Sequence, residues 1–300
     1  MDSSVSRLTE LVFILRTWFL ELGVTEVTTP ILINHPTTEP TISNLKIDSI
    51  EKYLRTSSEF ELKKILIEKD IDVFEIGHVF RADEQGAMHL TEFRMLEWYR
   101  RNKSYKELMR EIELLLKMIG VRDKILHESY QTIFEDNFNV CLHQASDNEL
   151  KFIVSKNLPI DPDSLIDRTE LLDSLNLVLM NSKTFKENVI FVYDFPAELR
   201  GYSELCSDLR YAKRFELYLK GVELVNGYQE IIDVEEQEKC FIAENRIRLA
   251  RGIPSVSFDQ DFLKVLRNIN VEQYSGAALG VERLLAFLND ANDFSELQIY

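Results

Sequence analysis

The runs VFEIGHVFR at residues 73–81 and EFRMLEWYR at 92–100 constrain this chain more than any other feature. Both have the alternation and the aromatic content of strands, and the first is also rich in β-branched residues. A polar, glycine-containing connection joins them, so they read as an antiparallel hairpin with a long loop. Alternation sends Phe93, Met95, Glu97 and Tyr99 to one face of the second strand, with Arg81 arriving on its partner. An aromatic ring, a carboxylate and a phenol then line one surface. The guanidinium beside them can grip a phosphate or carboxylate through two parallel hydrogen bonds. The same alternation also describes an ordinary two-layer sheet with a salt-bridged polar face.

The flanking sequence supplies helices. Leu8, Leu11, Val12, Leu15, Trp18, Phe19 and Leu22 recur at helical spacing, and Gly23 supplies a stop. A short strand is expected at 24–29, running into Pro30. Ser104 and Glu107 form a capping box. It opens a helix whose face is Tyr105, Leu108, Met109, Ile112, Leu115, Leu116 and Ile119, closed by Gly120. Residues 121–188 are mostly helical in pattern, punctuated by Pro159 and Pro162. Strands are expected at 190–195, 215–219 and 222–225, the last two flanking a Lys220-Gly221 turn. A helix over 235–251 ends before Gly252 and Pro254. A closing helix over 279–288 is entered from a small-residue turn, Ser275-Gly276-Ala277-Ala278. Hairpins interleaved with helices define an α+β fold with a mainly antiparallel sheet flanked by helices.

A 45% hydrophobic content over 300 residues suffices for one sizeable core. The net charge of −16 is too acidic for wrapping nucleic acid by charge alone. Cys141, Cys206 and Cys240 make no CxxC pair, and the five histidines show no zinc spacing. The apolar run at 12–22 is interrupted by Arg16 and Glu21 and is too short for a bilayer. A soluble, cytoplasmic protein with reduced thiols is expected.

Two further clusters carry chemistry. In RFELYLKGVELVNGYQE, Glu216, Glu223 and Glu230 recur every seven residues. A turn centred between Leu219 and Lys220 would place Glu216 opposite Glu223, where two carboxylates suit Mg²⁺ at a phosphate site. A bulge at Asn226-Gly227 would return Glu230 to the face of Glu223. Such acids also occur as solvated strand edges. In SGAALGVERLLAFL at 275–288, small residues let backbone approach a ligand, and Arg283 opens a helix. Small-residue turns before helices are common.

The order of these clusters resembles the three signature motifs of class II aminoacyl-tRNA synthetases. The first helix and strand resemble motif 1, FRADE…HLTEF motif 2, and GVERLLAF motif 3. TSSEFELKKIL at 56–66 and ELVNGYQE at 223–230 are similar to the lysine-specific branch. Within it, FRMLEWYR, FELYLKGVELVNGYQE and SGAALGVER resemble the short lysyl-tRNA synthetase paralogues that modify elongation factor P. The resemblance spans nearly the whole chain and implies one class II catalytic domain over 1–300, with 121–188 as a helical insertion. No N-terminal OB-fold anticodon-binding domain is expected, which argues against tRNA as acceptor.

The resemblance also implies the chemistry. A lysine or (R)-β-lysine carboxylate attacks the α-phosphate of ATP, with Mg²⁺ as cofactor, and the aminoacyl group passes to a lysine ε-amine of elongation factor P. Arg81 and Arg283 are the implied catalytic residues. Asp83, Leu90, Phe93, Glu223, Leu224 and Gly280 join them around ATP, and Glu216 with Glu223 holds the metal. Glu59, backed by Ser57 and Ser58, takes the amine near the carboxylate, while Tyr99 and Glu230 hold the distal ammonium. Motif 1 implies a homodimer, since that segment forms the subunit interface in class II enzymes.

Some positions depart from the family. Asp83 is one methylene shorter than the usual glutamate. Ala87 and Met88 stand where an arginine for the γ-phosphate is usual, and Leu90 replaces an asparagine. Ala278 replaces the glycine of full lysyl synthetases. Its methyl is expected to reshape the amino-acid pocket. Competing expectations are lysyl-tRNA formation, a catalytically silent regulatory paralogue, and an amide ligase of the asparagine synthetase A type.

Overall fold

The computed structural model describes residues 3–84 and 86–297. The single domain expected over 1–300 therefore extends beyond them at both ends and at Gln85. The chain forms two compact units, one of residues 1–121 with 230–300 and one of 122–229.

The first unit opens with α1 (Ser3–Glu21). Leu8, Leu11, Leu15 and Phe19 are its buried stripe, at the three- and four-residue spacing that puts side chains on one face. Leu22, expected on that face, is exposed. Gly23 ends the turn at φ +74°, a conformation that costs glycine little. Short strands follow: β1 (Thr25–Glu26), β2 (Leu32–Ile33), β3 (Leu45–Ile47) and β4 (Lys52–Leu54). The strand expected over 24–29 is thus only two residues long. Strands β2, β4 and β3 pair in that order as a small antiparallel sheet.

Next come α2 (Glu59–Lys69), β5 (Val73–Phe80), β6 (Glu92–Arg101) and α3 (Tyr105–Met118). The β5–β6 hairpin forms in the expected antiparallel sense, with Gly77 opposite Met95 and Glu75 opposite Glu97. β1 adds to β5 in parallel. The capping box at the start of α3 is complete, with Ser104 accepting from the Glu107 N–H and Glu107 accepting in return. Such a box is worth about 1 kcal/mol to the helix.

The second unit holds β7 (Ile125–Ser129), α4 (Tyr130–Phe138), α5 (Asp147–Asn157), α6 (Arg168–Met180), α7 (Lys183–Lys186), β8 (Val189–Pro196), β9 (Tyr211–Leu219) and β10 (Val222–Gln229). Its strands run in the order β10-β9-β8-β7, antiparallel except for the parallel β7–β8 edge. The core under the helices is Tyr130, Phe134, Leu150, Leu172, Leu175, Ile190 and Phe195 with their neighbours. The β9–β10 turn has left-handed Lys220 and Gly221 at φ 48° and 89°, as a two-residue hairpin of this hand requires.

The chain then completes the first unit with α8 (Val234–Ala250), α9 (Gln260–Leu266), β11 (Tyr274–Gly280) and α10 (Val281–Leu288). The small-residue segment expected as a turn is a strand. β11 pairs along its whole length with β6, setting Gly276 opposite Tyr99 and Ala278 opposite Glu97. Its backbone groups find partners in β6, so the segment has no need to turn, and α10 begins only at Val281. On the other face of this sheet Phe19 of α1 stacks on Phe74 and tilts against Trp98, both at 5.1 Å. The overall class is α+β, with mainly antiparallel sheets flanked by helices. Among the described residues no helix is long and apolar enough to cross a membrane.

Candidate functional site

The candidate site is built on the face of β6 that carries Phe93, Met95, Glu97 and Tyr99. Register places Gly280, Ala278 and Gly276 of β11 beside them, and α2 supplies the residues above. Leu62 and Leu66 anchor α2 against Val73, Tyr99 and Tyr274. Burying each leucine is worth about 1.5–3 kcal/mol. The same helix turns Glu59 and Lys63 inward one turn apart.

Three carboxylates meet there. Glu97 is 2% exposed and accepts from the Ser57 hydroxyl at 2.5 Å, from the Ser58 N–H at 2.6 Å and from the Ser58 hydroxyl. Burial pushes its carboxyl up, while the two serines pull it down. The serines expected to back Glu59 are therefore engaged by Glu97, although Ser57 also accepts from the Glu59 N–H at 3.0 Å. Glu59 itself pairs with Lys63 at 2.5 Å. Glu230 is 1% exposed, and one of its oxygens meets the Lys63 ammonium at 2.5 Å. The contact is an ion pair rather than an aligned hydrogen bond, and the second oxygen, Oε1, has no hydrogen-bond donor among the described residues.

Lys63 and Glu97 are the site residues that sequence reasoning left unassigned. Glu97 stood on the alternating face already. The Glu59–Lys63 spacing of four residues was the available signal for the lysine.

Gly276 is the floor of this pocket. A methyl there would overlap the Tyr99 ring and lie 2.8 Å from Oε1 of Glu230, so the ring and the carboxylate occupy the space that a side chain would take. A second buried ion pair, Arg55 with Glu75 at 3.0 Å, is completed by Thr29 and the His78 carbonyl. Its groups are mutually satisfied, which makes it scaffold.

At the other end of β6, Arg81 sits over the Phe93 ring at 5.5 Å. Its guanidinium bonds Glu84 at 3.0 Å and reaches the Thr56 carbonyl at 3.4 Å. Its acidic partner is thus Glu84, whereas Asp83 is exposed and accepts from Ser43. The loop after β5 closes through a Gly86–His89 bridge, with Gln85 outside the described residues. Its tip is held by backbone carbonyls. Ala87 accepts from the Phe294 N–H at 2.9 Å and Met88 from Arg283 at 3.3 Å. Leu90 is half-buried, and the Arg283 side chain packs on Gly280. Arg81, Phe93 and Gly280 belong to this sheet and its loops, and Arg283 to the first turn of α10, which follows β11 directly.

In the second unit the hairpin corrects one expectation. Its turn centres on Lys220-Gly221, so Leu219 pairs with Val222, Tyr218 with Glu223, and Glu216 with Asn226. Glu216 therefore does not face Glu223. A bulge exists, but it falls between Glu223 and Val225, at Leu224, instead of at Asn226-Gly227. The extra residue keeps Glu223, Asn226 and Tyr228 on the face of Glu216. Glu216 pairs with Arg214 at 2.5 Å and accepts from the Tyr218 hydroxyl. Among the described residues no three His, Cys, Asp or Glu side chains are grouped for a metal. Mg²⁺ at phosphates commonly takes only one or two carboxylates, and Glu216 and Glu223 share one face of this hairpin.

Comparison with known proteins identifies the family. The family model for class II tRNA synthetases (D, K and N) matches residues 3–300. A protein of Hamiltonella defensa named elongation factor P–(R)-β-lysine ligase is 32% identical, the match covering 95% of this chain and 91% of that protein. Proteins of the same name from Histophilus somni and Salmonella gallinarum are 34% and 33% identical. Each of these matches covers 94% of this chain and 90% of the relative.

Proposed function

Because the chain belongs to the class II tRNA synthetase family, together with the elongation factor P–(R)-β-lysine ligases, we propose that it activates a lysine isomer with ATP. The activated group passes to the ε-amine of a lysine on elongation factor P. The observation that carries the lysine reading is the buried carboxylate of Glu230, one oxygen of which lies by Gly276 with no hydrogen-bond donor among the described residues. Such an acceptor costs free energy until a cation or donor reaches it. A substrate with a distal ammonium supplies one.

In the first step an oxygen of the substrate carboxylate bonds to the α-phosphorus. The bond from that phosphorus to the bridging oxygen breaks, and pyrophosphate leaves. The step needs positioning and neutralisation of developing charge more than proton transfer. Arg81 is assigned to the substrate carboxylate and the α-phosphate, and Arg283 to the nucleotide. Phe93 offers a ring face to adenine, and Asp83, Leu90, Glu223, Leu224 and Gly280 are assigned to the nucleotide by the family resemblance. Mg²⁺ held by Glu216 and Glu223 would supply counter-charge to the phosphates. In the second step the acceptor amine attacks the carbonyl carbon, AMP leaves, and the new amide loses a proton.

Glu59 is assigned to the amine near the carboxylate, with Ser57 and Ser58 acting through Glu97. Exposed Phe13, Ile14 and Leu20 on α1, with Ile31 and Leu32 beyond it, support the homodimer reading. The cytoplasm, where translation factors work, is the proposed compartment.

ATP–pyrophosphate exchange tests the reading. Exchange with α-lysine or (R)-β-lysine, and none with asparagine or aspartate, is expected. Exchange with aspartate would favour an amide ligase, silence with every amino acid a regulatory paralogue, and lysyl-tRNA formation a tRNA-charging enzyme.

A further inference from the structure

Lys63 has no assigned part in the chemistry above, yet it lies at the centre of the amine pocket. Its side chain is fully buried, and its ammonium is 2.5 Å from Glu59 and 2.5 Å from Glu230. The rings of Tyr99 and Phe60 stand 5.5 and 5.7 Å away. Burial opposes its charge, but Glu230 and Glu59 outweigh burial and keep it protonated. A buried ion pair is weak evidence for stability, because desolvation offsets most of the attraction. The geometry supplies a more specific role. A carboxylate accepts two charge-assisted bonds at once, one on each oxygen. Lys63 takes Oε2 of Glu230, and Oε1 is left on the side of Tyr99 and Gly276.

We infer that Lys63 is the positioning residue of the amine subsite, tying one oxygen of Glu59 and one of Glu230 so that the second oxygen of Glu230 is reserved for the distal ammonium of a diamino-acid substrate. The inference rests on the functional reading above and deepens it. Anchoring one oxygen stops the carboxylate from rotating and supplies counter-charge to a pocket that otherwise holds only acids. A substrate lacking the distal ammonium leaves Oε1 buried and unpaired. Sites built around a buried polar partner reject such analogues strongly.

The test is the ratio of kcat/KM for α-lysine to that for norleucine in pyrophosphate exchange. Norleucine has the same α-amine and nearly the same length, without the distal ammonium. Wild-type enzyme is expected to favour lysine by at least about a thousandfold. Lys63→Met is expected to cut that ratio by tenfold or more through the KM for lysine, with the KM for ATP within about twofold. If Lys63 only supports the fold, activity falls alike for both amino acids, and an unchanged ratio overturns the inference. Lys63→Met combined with Glu59→Gln removes one charge of each sign and guards against misfolding. Lysine and norleucine share the α-amine, so the ratio in the double variant still reads the distal subsite and is expected to fall likewise. Wild-type enzyme inert toward both lysine isomers would overturn the functional reading and this inference with it. Active wild type with unchanged ratios in the variants overturns the inference alone.

Discussion

Gly276→Ala is the smallest change that should close the amine pocket. The added carbon would overlap the Tyr99 ring and lie 2.8 Å from Oε1 of Glu230, where unstrained contacts need about 3.5 Å. Strand pairing with Tyr99 on β6 holds the backbone of residue 276, so the side chains must move. The ring then shifts by roughly 1 Å, and overpacking of this kind costs about 1–3 kcal/mol. Both groups assigned to the distal ammonium are the ones displaced, so most of that cost falls on substrate binding. At 1.4 kcal/mol per tenfold, the KM for lysine should rise about tenfold to a hundredfold. Arg81, Phe93 and Arg283 lie toward the other end of the sheet, so the KM for ATP should stay within about twofold. Pyrophosphate exchange with lysine and ATP varied separately measures both. A wild-type KM for lysine in a folded Gly276→Ala variant would refute the placement of the pocket.

Three other outcomes follow from the same geometry. Burial, opposed by Lys63 and reinforced by Glu59 and Glu97, leaves the Glu230 carboxyl raised to about 8. Holding an ammonium requires the ionised form, so lysine affinity by calorimetry should rise with pH to about 8 and then level off, at most tenfold per unit. A raised carboxyl also stabilises the fold below its unfolded value and loses that contribution as pH rises through 8, so ligand-free enzyme should lose stability over the range in which it gains affinity. Arg283→Ala should lower exchange about a hundredfold or more while leaving lysine binding intact, and an effect below tenfold would remove Arg283 from the reacting phosphates. Ala278→Gly, opposite Glu97 on the pocket face, should shift preference toward α-lysine in an adenylation assay. An unchanged α/β ratio would show that this methyl does not shape the pocket.

Local signals were the legible ones. The Ser104–Glu107 box and the alternation of 92–100 depend on near neighbours, and both elements stand where the pattern put them. Arg81, Phe93 and Glu97 came with that hairpin. The strand at Tyr274–Gly280 did not, because its residues are small for a tertiary reason: Tyr99 and Glu230 fill the space above Gly276. A run of Ser, Gly and Ala carries no β-propensity to read. Helix α2 was hidden differently. Its inward face carries Glu59 and Lys63 beside Leu62 and Leu66, which blurs the apolar stripe by which helices are recognised. The Glu216–Glu223 relation turned on hairpin register. Whether the extra residue sits at Leu224 or at Asn226 depends on pairing that composition does not encode.

The central claim is transfer of a lysine isomer to a protein. Intact-mass measurement of purified elongation factor P after incubation with this enzyme, ATP, Mg²⁺ and (R)-β-lysine tests it most directly. A gain of one lysyl group that requires ATP and is lost in Arg81→Ala is expected. No gain with either lysine isomer, from an enzyme that forms the adenylate, would contradict it.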